Sequence, residues 1–297
     1  MPIDRRDFFR LVLAISGGTL LGSPRLARPS SAAMLDSKRW GMLVDTTLCV
    51  GCRLCEWACK EENGFPTEPL SNAGDATVFA GLRRPDASSY TVVNRFTSPQ
   101  KPESPVYVKV QCMHCEQAAC VSACLVGALR KNREGPVRYD PSKCMGCRYC
   151  MVACPFQIPA YEYSNAFTPA VRKCTFCFER VVAQNDFPAC CQVCPQEALT
   201  FGRRVDLLQA ARERIGHAPG RYLPRIYGEN EVGGTSWLYL AAVPFEELGF
   251  PILGTTPVAR LNESVQHAVF KYFAPPLALY ALLGGLMWRF KNRRKPE

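Results

Sequence analysis

Cys144-Met145-Gly146-Cys147-Arg148-Tyr149-Cys150-Met151-Val152-Ala153-Cys154-Pro155 is the stretch on which the reading of this chain turns. Three cysteines stand two residues apart, a fourth follows after three more, and a proline closes the run. A cubane of four irons and four sulfides needs four thiolates around one small volume, and three cysteines on one tight loop can wrap three of its irons. Moving outward, the pattern recurs. Cys49, Cys52, Cys55 and Cys59 repeat the spacing without change. Cys112, Cys115, Cys120 and Cys124 stretch it, and Cys174, Cys177, Cys190 and Cys194 stretch it further before Pro195. These quartets absorb all but one of the 17 cysteines and leave Cys191 over. Structural zinc asks for two C-x2-C pairs and has no use for a third close thiolate. A disulfide framework suits an exported protein, but the odd count and the repeated close spacings argue against it.

The repeat also sets the organisation, because each quartet follows a short extended segment and leads into a helix start. Trp40 to Val44 precedes the first run, Val137 to Tyr139 the third, and Val106 to Val110 the second with the period-two character of a strand. Glu134-Gly135-Pro136 fits a tight turn between them. This is the bacterial ferredoxin run, and in two-cluster ferredoxins the cysteine after the x3 gap completes the opposite cluster. The expectation is an α+β, duplicated bacterial-ferredoxin-like fold of two pseudo-symmetric two-cluster halves over residues 34–205, organised more by metal than by hydrocarbon. Folding and cluster loading are then coupled, since the unfolded chain has no preformed site.

The formal charge of +10 is concentrated at the ends. Arg5, Arg6, Arg10, Arg25 and Arg28 against Asp4 and Asp7 give the first 33 residues +3. Arg289, Lys291, Arg293, Arg294 and Lys295 against Glu297 give the tail +4. Such placement reads as targeting and topology and excludes a nucleic-acid surface. Residues 1–33 read as a twin-arginine signal: Arg5-Arg6, an apolar stretch from Leu11 to Gly22, and small residues at Ser31-Ala32-Ala33. That route exports proteins already folded around their cofactors. Residues 206–266 read as an extension packing on the ferredoxin region. Residues 267–290, apolar from Tyr272 to Trp288, read as a single-pass transmembrane helix, and 291–297 as a basic tail held in the cytoplasm. The chain before the span then lies on the outer, periplasmic face.

With the quartets in place, the chain resembles the iron–sulfur subunits of membrane-bound [NiFe] hydrogenases of the hydrogenase-2 type. More broadly it is similar to those of formate dehydrogenase, dimethyl sulfoxide reductase and polysulfide reductase. Cys144 to Phe156 carries the broad likeness; Tyr227 to Thr235, Val243 to Glu247 and Glu263 to His267 carry the narrower one. The resemblance implies four [4Fe–4S] clusters with crossed fourth ligands. Cluster A takes Cys49, Cys52, Cys55 and Cys194; cluster B takes Cys174, Cys177, Cys190 and Cys59. Cluster C takes Cys112, Cys115, Cys120 and Cys154; cluster D takes Cys144, Cys147, Cys150 and Cys124.

It further implies that the chain is no enzyme by itself. Its partners become the small and large subunits of a hydrogenase and a polytopic, quinone-reactive membrane subunit, with a formate dehydrogenase or other molybdopterin enzyme as the alternative. An iron–sulfur redox sensor or scaffold is the rival of a different class, yet no regulatory domain accompanies the runs. Nor is there a Gly-rich nucleotide loop or a pair of catalytic carboxylates. Arg148, Arg172 and Lys173, beside ligands, read as solvated or paired residues, the alternative being cations that raise a cluster potential. His114 reads as a donor to sulfur or a docking residue, His267 as a capping or packing residue at the membrane surface with a quinone-side role as the alternative, and Cys191 as a small buried side chain.

Overall fold

Strand patterning and the cysteine runs together set the elements. The computed structural model describes residues 38–70, 74–99, 101–165 and 168–293; the signal expected over 1–33 and the final residues 294–297 lie outside them. Strand β1 (Trp40–Asp45) is buried on both faces, with Met42 and Val44 on one and Leu43 on the other. It leads to the first run, whose third and fourth cysteines ride on α1 (Leu54–Glu62). The antiparallel hairpin of β2 (Thr91–Ser98) and β3 (Lys101–Gln111) then delivers the chain to Cys112.

From there the unit recurs at smaller size. Helix α2 (Ala119–Ser122) holds Cys120, then β4 (Leu129–Lys131) and β5 (Val137–Tyr139) follow. Helix α3 (Tyr149–Ala153) holds Cys150, with β6 (Ala160–Tyr161) and β7 (Val171–Arg172) after it. Helix α4 (Ala189–Gln192) holds Cys190 and runs on to β8 (Leu199–Arg203).

Strand pairing decides which runs meet. β8, leaving the fourth run, pairs antiparallel with β1, entering the first, so that Val44 stands opposite Leu199 and Trp40 opposite Arg203. β4, leaving the second run, pairs antiparallel with β5, entering the third. Accordingly α1 packs on α4 and α2 on α3. The short pair β6–β7 joins the third run to the fourth.

The extension is woven into this frame. Helix α5 (Arg204–His217) continues from β8, and β9 (Trp237–Leu240) adds to the sheet parallel to β1, with Met42 opposite Trp237. Leu207, Leu208 and Ala211 of α5 cover Leu43, Leu238 and Leu240 on one face of the sheet. On the other, Trp237 and Tyr239 join Tyr227, Phe245 and Leu248 in a core that also contains Cys59, Cys112, Cys174 and Cys190. Full burial of such side chains stabilises by roughly 1.5–3 kcal/mol each. The fold therefore rests on hydrocarbon to a greater degree than the cysteine spacing predicts, because the extension supplies a second half to the core.

Helix α6 (Ala259–Arg293) spans 35 residues and includes the stretch expected to cross the membrane, His267 among it. Among the described residues, however, no helix is long and apolar enough to cross a membrane. Pro275, Pro276, Tyr280, Gly284, Gly285 and Arg289 dilute the apolar run.

Candidate metal centres

One backbone device recurs in all four runs. The residue before the second cysteine is left-handed each time: Gly51 (φ 72°), His114 (φ 48°), Gly146 (φ 73°) and Phe176 (φ 60°). Arg53 (φ 60°) and Arg148 (φ 59°) turn again before α1 and α3. Turns of this kind fold successive backbone amides around a concavity, an arrangement suited to anionic centres including iron–sulfur sites. The third cysteine then opens a short helix, and the fourth stands within it in the first run and just past its end in the other three.

The cysteines lie close to one another. Cys49, Cys52, Cys55 and Cys194 line one cavity. Burial pushes the Cys49 thiol up to about 11, with Cys194 and Cys52 adding to the effect. Burial likewise raises Cys59, and there the added negative charge is that of Cys174, Cys190 and Cys177. Cys115 is raised by burial and then by Cys112, Cys154 and Cys120. Cys150 is pushed up to about 11 by burial and then by Cys144, Cys124 and Cys147. Charge also acts between sulfurs further along the chain: Cys55 feels Cys190, Cys174 feels Cys112, and Cys120 feels Cys150. None of the 17 cysteines is in a disulfide.

The residues present fit an iron–sulfur group. Among the described residues no three His, Cys, Asp or Glu side chains are disposed to hold a single metal ion, whereas a cubane spaces its thiolates around four irons and four sulfides. Buried polar atoms also await an acceptor. His114 is wholly buried; its Nδ1 accepts from the Val137 N–H at 2.9 Å, so the neutral ring carries its proton on Nε2, which makes no well-formed hydrogen bond although the Cys174 carbonyl is nearby. Trp237 Nε1 likewise makes no well-formed hydrogen bond among the described residues.

Other residues fall into place beside these groups. Arg148 donates to Tyr163 Oη at 3.2 Å, and Arg172 forms a two-pronged ion pair with Glu162 at 3.0 and 3.1 Å, as solvated or paired residues do. Lys173 differs from expectation: it is buried and donates to the carbonyls of Val137 and Cys174. Cys191 donates to the Leu199 carbonyl at 3.2 Å, and burial pushes its thiol up to about 12, which makes it structural. Lys109 is the residue that the sequence reading passes over. It is 3 % exposed, and its Nζ donates to Thr91 Oγ1 (2.5 Å) and Gln111 Oε1 (3.3 Å) and lies 5.0 Å from the Trp237 ring centre. The signal available was a charged residue in the strand that delivers the second run; period-two patterning reads such a residue as facing solvent.

Residues 104–204 match the family described as 4Fe-4S dicluster domain. Fold and site thus define an iron–sulfur protein of the dicluster class. A protein of Nitratidesulfovibrio vulgaris (Hildenborough) is 47 % identical over 249 residues, which are 83 % of this chain and 66 % of that protein. The hydrogenase-2 operon protein HybA of Escherichia coli O157:H7 is 36 % identical over 324 residues, 97 % of this chain and 95 % of HybA. The thiosulfate reductase electron transfer subunit PhsB of Salmonella typhi is 39 % identical over 167 residues, 56 % of this chain and 77 % of PhsB. The chain belongs to the family of iron–sulfur electron-transfer subunits of oxidoreductase complexes that includes HybA.

Proposed function

We propose that this chain carries electrons through four [4Fe–4S] clusters between a catalytic oxidoreductase, a [NiFe] hydrogenase, and a quinone-reactive membrane subunit. The observation that supports the reading is the closeness of the sulfurs, Cys49, Cys52, Cys55 and Cys194 lining one cavity and Cys115 lying buried beside Cys112, Cys154 and Cys120. Cluster A takes Cys49, Cys52, Cys55 and Cys194, cluster B takes Cys174, Cys177, Cys190 and Cys59, cluster C takes Cys112, Cys115, Cys120 and Cys154, and cluster D takes Cys144, Cys147, Cys150 and Cys124. A bound cubane supplies one-electron redox chemistry at a potential that the surrounding charge, hydrogen bonds and exposure set. The chain's own part is to hold the thiolates, to exclude water with Trp237, Tyr239 and Phe176, and to offer N–H groups such as His114 Nε2 to sulfur. Cys147 is exposed and neighbours Met145, Tyr149 and Val152, which are exposed too. That surface suits a partner exchanging electrons with cluster D.

Hydrogenase is favoured over a molybdopterin enzyme because the match to HybA runs through the extension and α6, while that to PhsB covers 56 % of this chain. Residues 1–33 serve export, and α6 fastens the chain to the outer face of the membrane. Its support is the run of exposed Leu277, Leu279, Tyr280, Leu282, Leu283, Met287, Trp288 and Phe290; exposed apolar surface of this extent marks a membrane or protein contact.

Anaerobic detergent solubilisation and analysis of the copurifying subunits test the proposal. About sixteen irons per chain, together with a nickel-containing large subunit, are expected. Molybdenum or tungsten in the partner would replace the hydrogenase, and zinc in the quartets would end the electron-transfer reading.

A further inference from the structure

Among the described residues no carboxylate pairs with the buried ammonium of Lys109. Its two hydrogen-bond partners, the Thr91 hydroxyl and the Gln111 amide, are neutral, and no ion pair with a described residue forms on it. Lys131, the comparable cation near Cys115, pairs with Glu116 at 3.4 Å. Removing an ammonium from water without a counter-charge costs several kcal/mol, so a lysine kept here implies an anion close by. The anions available are the sulfurs. Lys109 lines the cavity of Cys49, Cys52, Cys55 and Cys194. Its charge also acts on Cys59, Cys174, Cys177 and Cys190, all four members of the next group.

We infer that Lys109 is a potential-setting residue for clusters A and B, a fixed positive charge that stabilises their reduced forms. Each cluster takes up one electron, its iron being reduced as the neighbouring centre is oxidised, so the anionic charge facing Lys109 grows by one in the reduced state. A fixed cation favours that state and raises the potential. Burial strengthens the effect, because the same charge in water would be screened. Clusters C and D have other cations beside them: Lys131 shares Glu116 with Arg39, the buried Lys173 acts on Cys120, and Arg148 sits at the surface against Tyr163. Lys109 acts on clusters rather than substrate, through position and charge alone.

The inference rests on the four-cluster reading, and the test separates the two. The full chain, purified anaerobically with its partners, is titrated potentiometrically while the reduced-cluster resonances are followed by electron paramagnetic resonance. Lys109→Met removes the charge at nearly constant size, and Lys109→Arg keeps it. Two of the four midpoint potentials are expected to fall in Lys109→Met while the other two hold, with Lys109→Arg close to the wild type. Should Lys109→Met lose iron, Lys109→Gln, which keeps hydrogen bonding without the charge, is titrated instead and carries the same expectation. Four unchanged potentials in an iron-loaded neutral variant would overturn the inference and leave the electron-transfer reading standing. So would an equal fall in all four, or an equal fall in Lys109→Arg. A wild-type chain without clusters would remove both.

Discussion

The residue before the second cysteine decides whether a run can close on its metal, and the four runs solve this position in two ways. Gly51 and Gly146 adopt the left-handed conformation with no Cβ to resist it, whereas His114 and Phe176 adopt it with large side chains. The strain of a non-glycine residue there is of order 1–3 kcal/mol. The pair recovers some of it by packing edge to face, ring centres 5.2 Å apart. Gly51 has no such latitude: a Cβ would stand 2.3 Å from Tyr107 Cδ1. Gly51→Ala is therefore expected to destabilise the chain by about 2–4 kcal/mol, left-handed strain plus overpacking, and to deplete cluster A of iron. Tyr107→Ala in the same chain removes the clash and leaves only the strain, so the double variant should recover part of the iron and of the thermal midpoint. Independent, additive effects of the two substitutions in a double-mutant cycle would refute the steric account.

At the scale of elements, α6 poses the sharpest question, since nothing among the described residues covers its exposed apolar side chains. Removing the residues after Tyr272 is expected to move most of the protein from the membrane to the soluble fraction with its iron content intact. A membrane fraction unchanged by the truncation would dissociate α6 from attachment. The helix is legible in the sequence as an apolar stretch with a basic flank, but its prolines, glycines and Arg289 keep it short of a clear span. The short helices on Cys120, Cys150 and Cys190 are equally legible, because the spacing of thiolates around a cubane forces a loop and then a turn of helix. Crossed ligation came only through the resemblance; the pairing of β1 with β8 and of β4 with β5 brings the runs it would join side by side, across 155 positions between Val44 and Leu199 in the first case. The contribution of β9 was not legible at all. Four apolar residues, Trp237 to Leu240, carry no period, and their partner β1 lies nearly two hundred positions away. Lys109 escaped for the opposite reason: its strand has a clear period, which assigns a charged residue to solvent unless the anion it faces is known.

For the whole molecule, the two parts of the core predict how it fails without iron. Cys49 and Cys177 are pushed up to about 11 and Cys120 and Cys174 to about 12, burial being the main cause in each, so the iron-free thiols are protonated at neutral pH. Loading a cluster displaces four protons, which makes the loaded form sensitive to acid. The iron-free fold responds in the opposite sense. Its thiols ionise less readily than those of the unfolded chain, near 9; that stability is fully present below pH 9 and drains away as pH rises through 9 toward 11. The loss should be uneven across the chain. The sheet of β1, β8 and β9 keeps the hydrocarbon of α5 on one face and the aromatic group of Trp237, Tyr239 and Phe245 on the other. Around β4 and β5 the core is Ala118, Leu129, Val137 and Val171 with Cys120 and Cys150, too small to hold without metal. After iron is chelated at pH 7, hydrogen exchange should leave the amides of Met42, Leu43 and Tyr239 protected while those of Leu129 and Val137 exchange freely. Protection lost at the same rate in both places would mean that the clusters, and not the extension, hold the entire chain together.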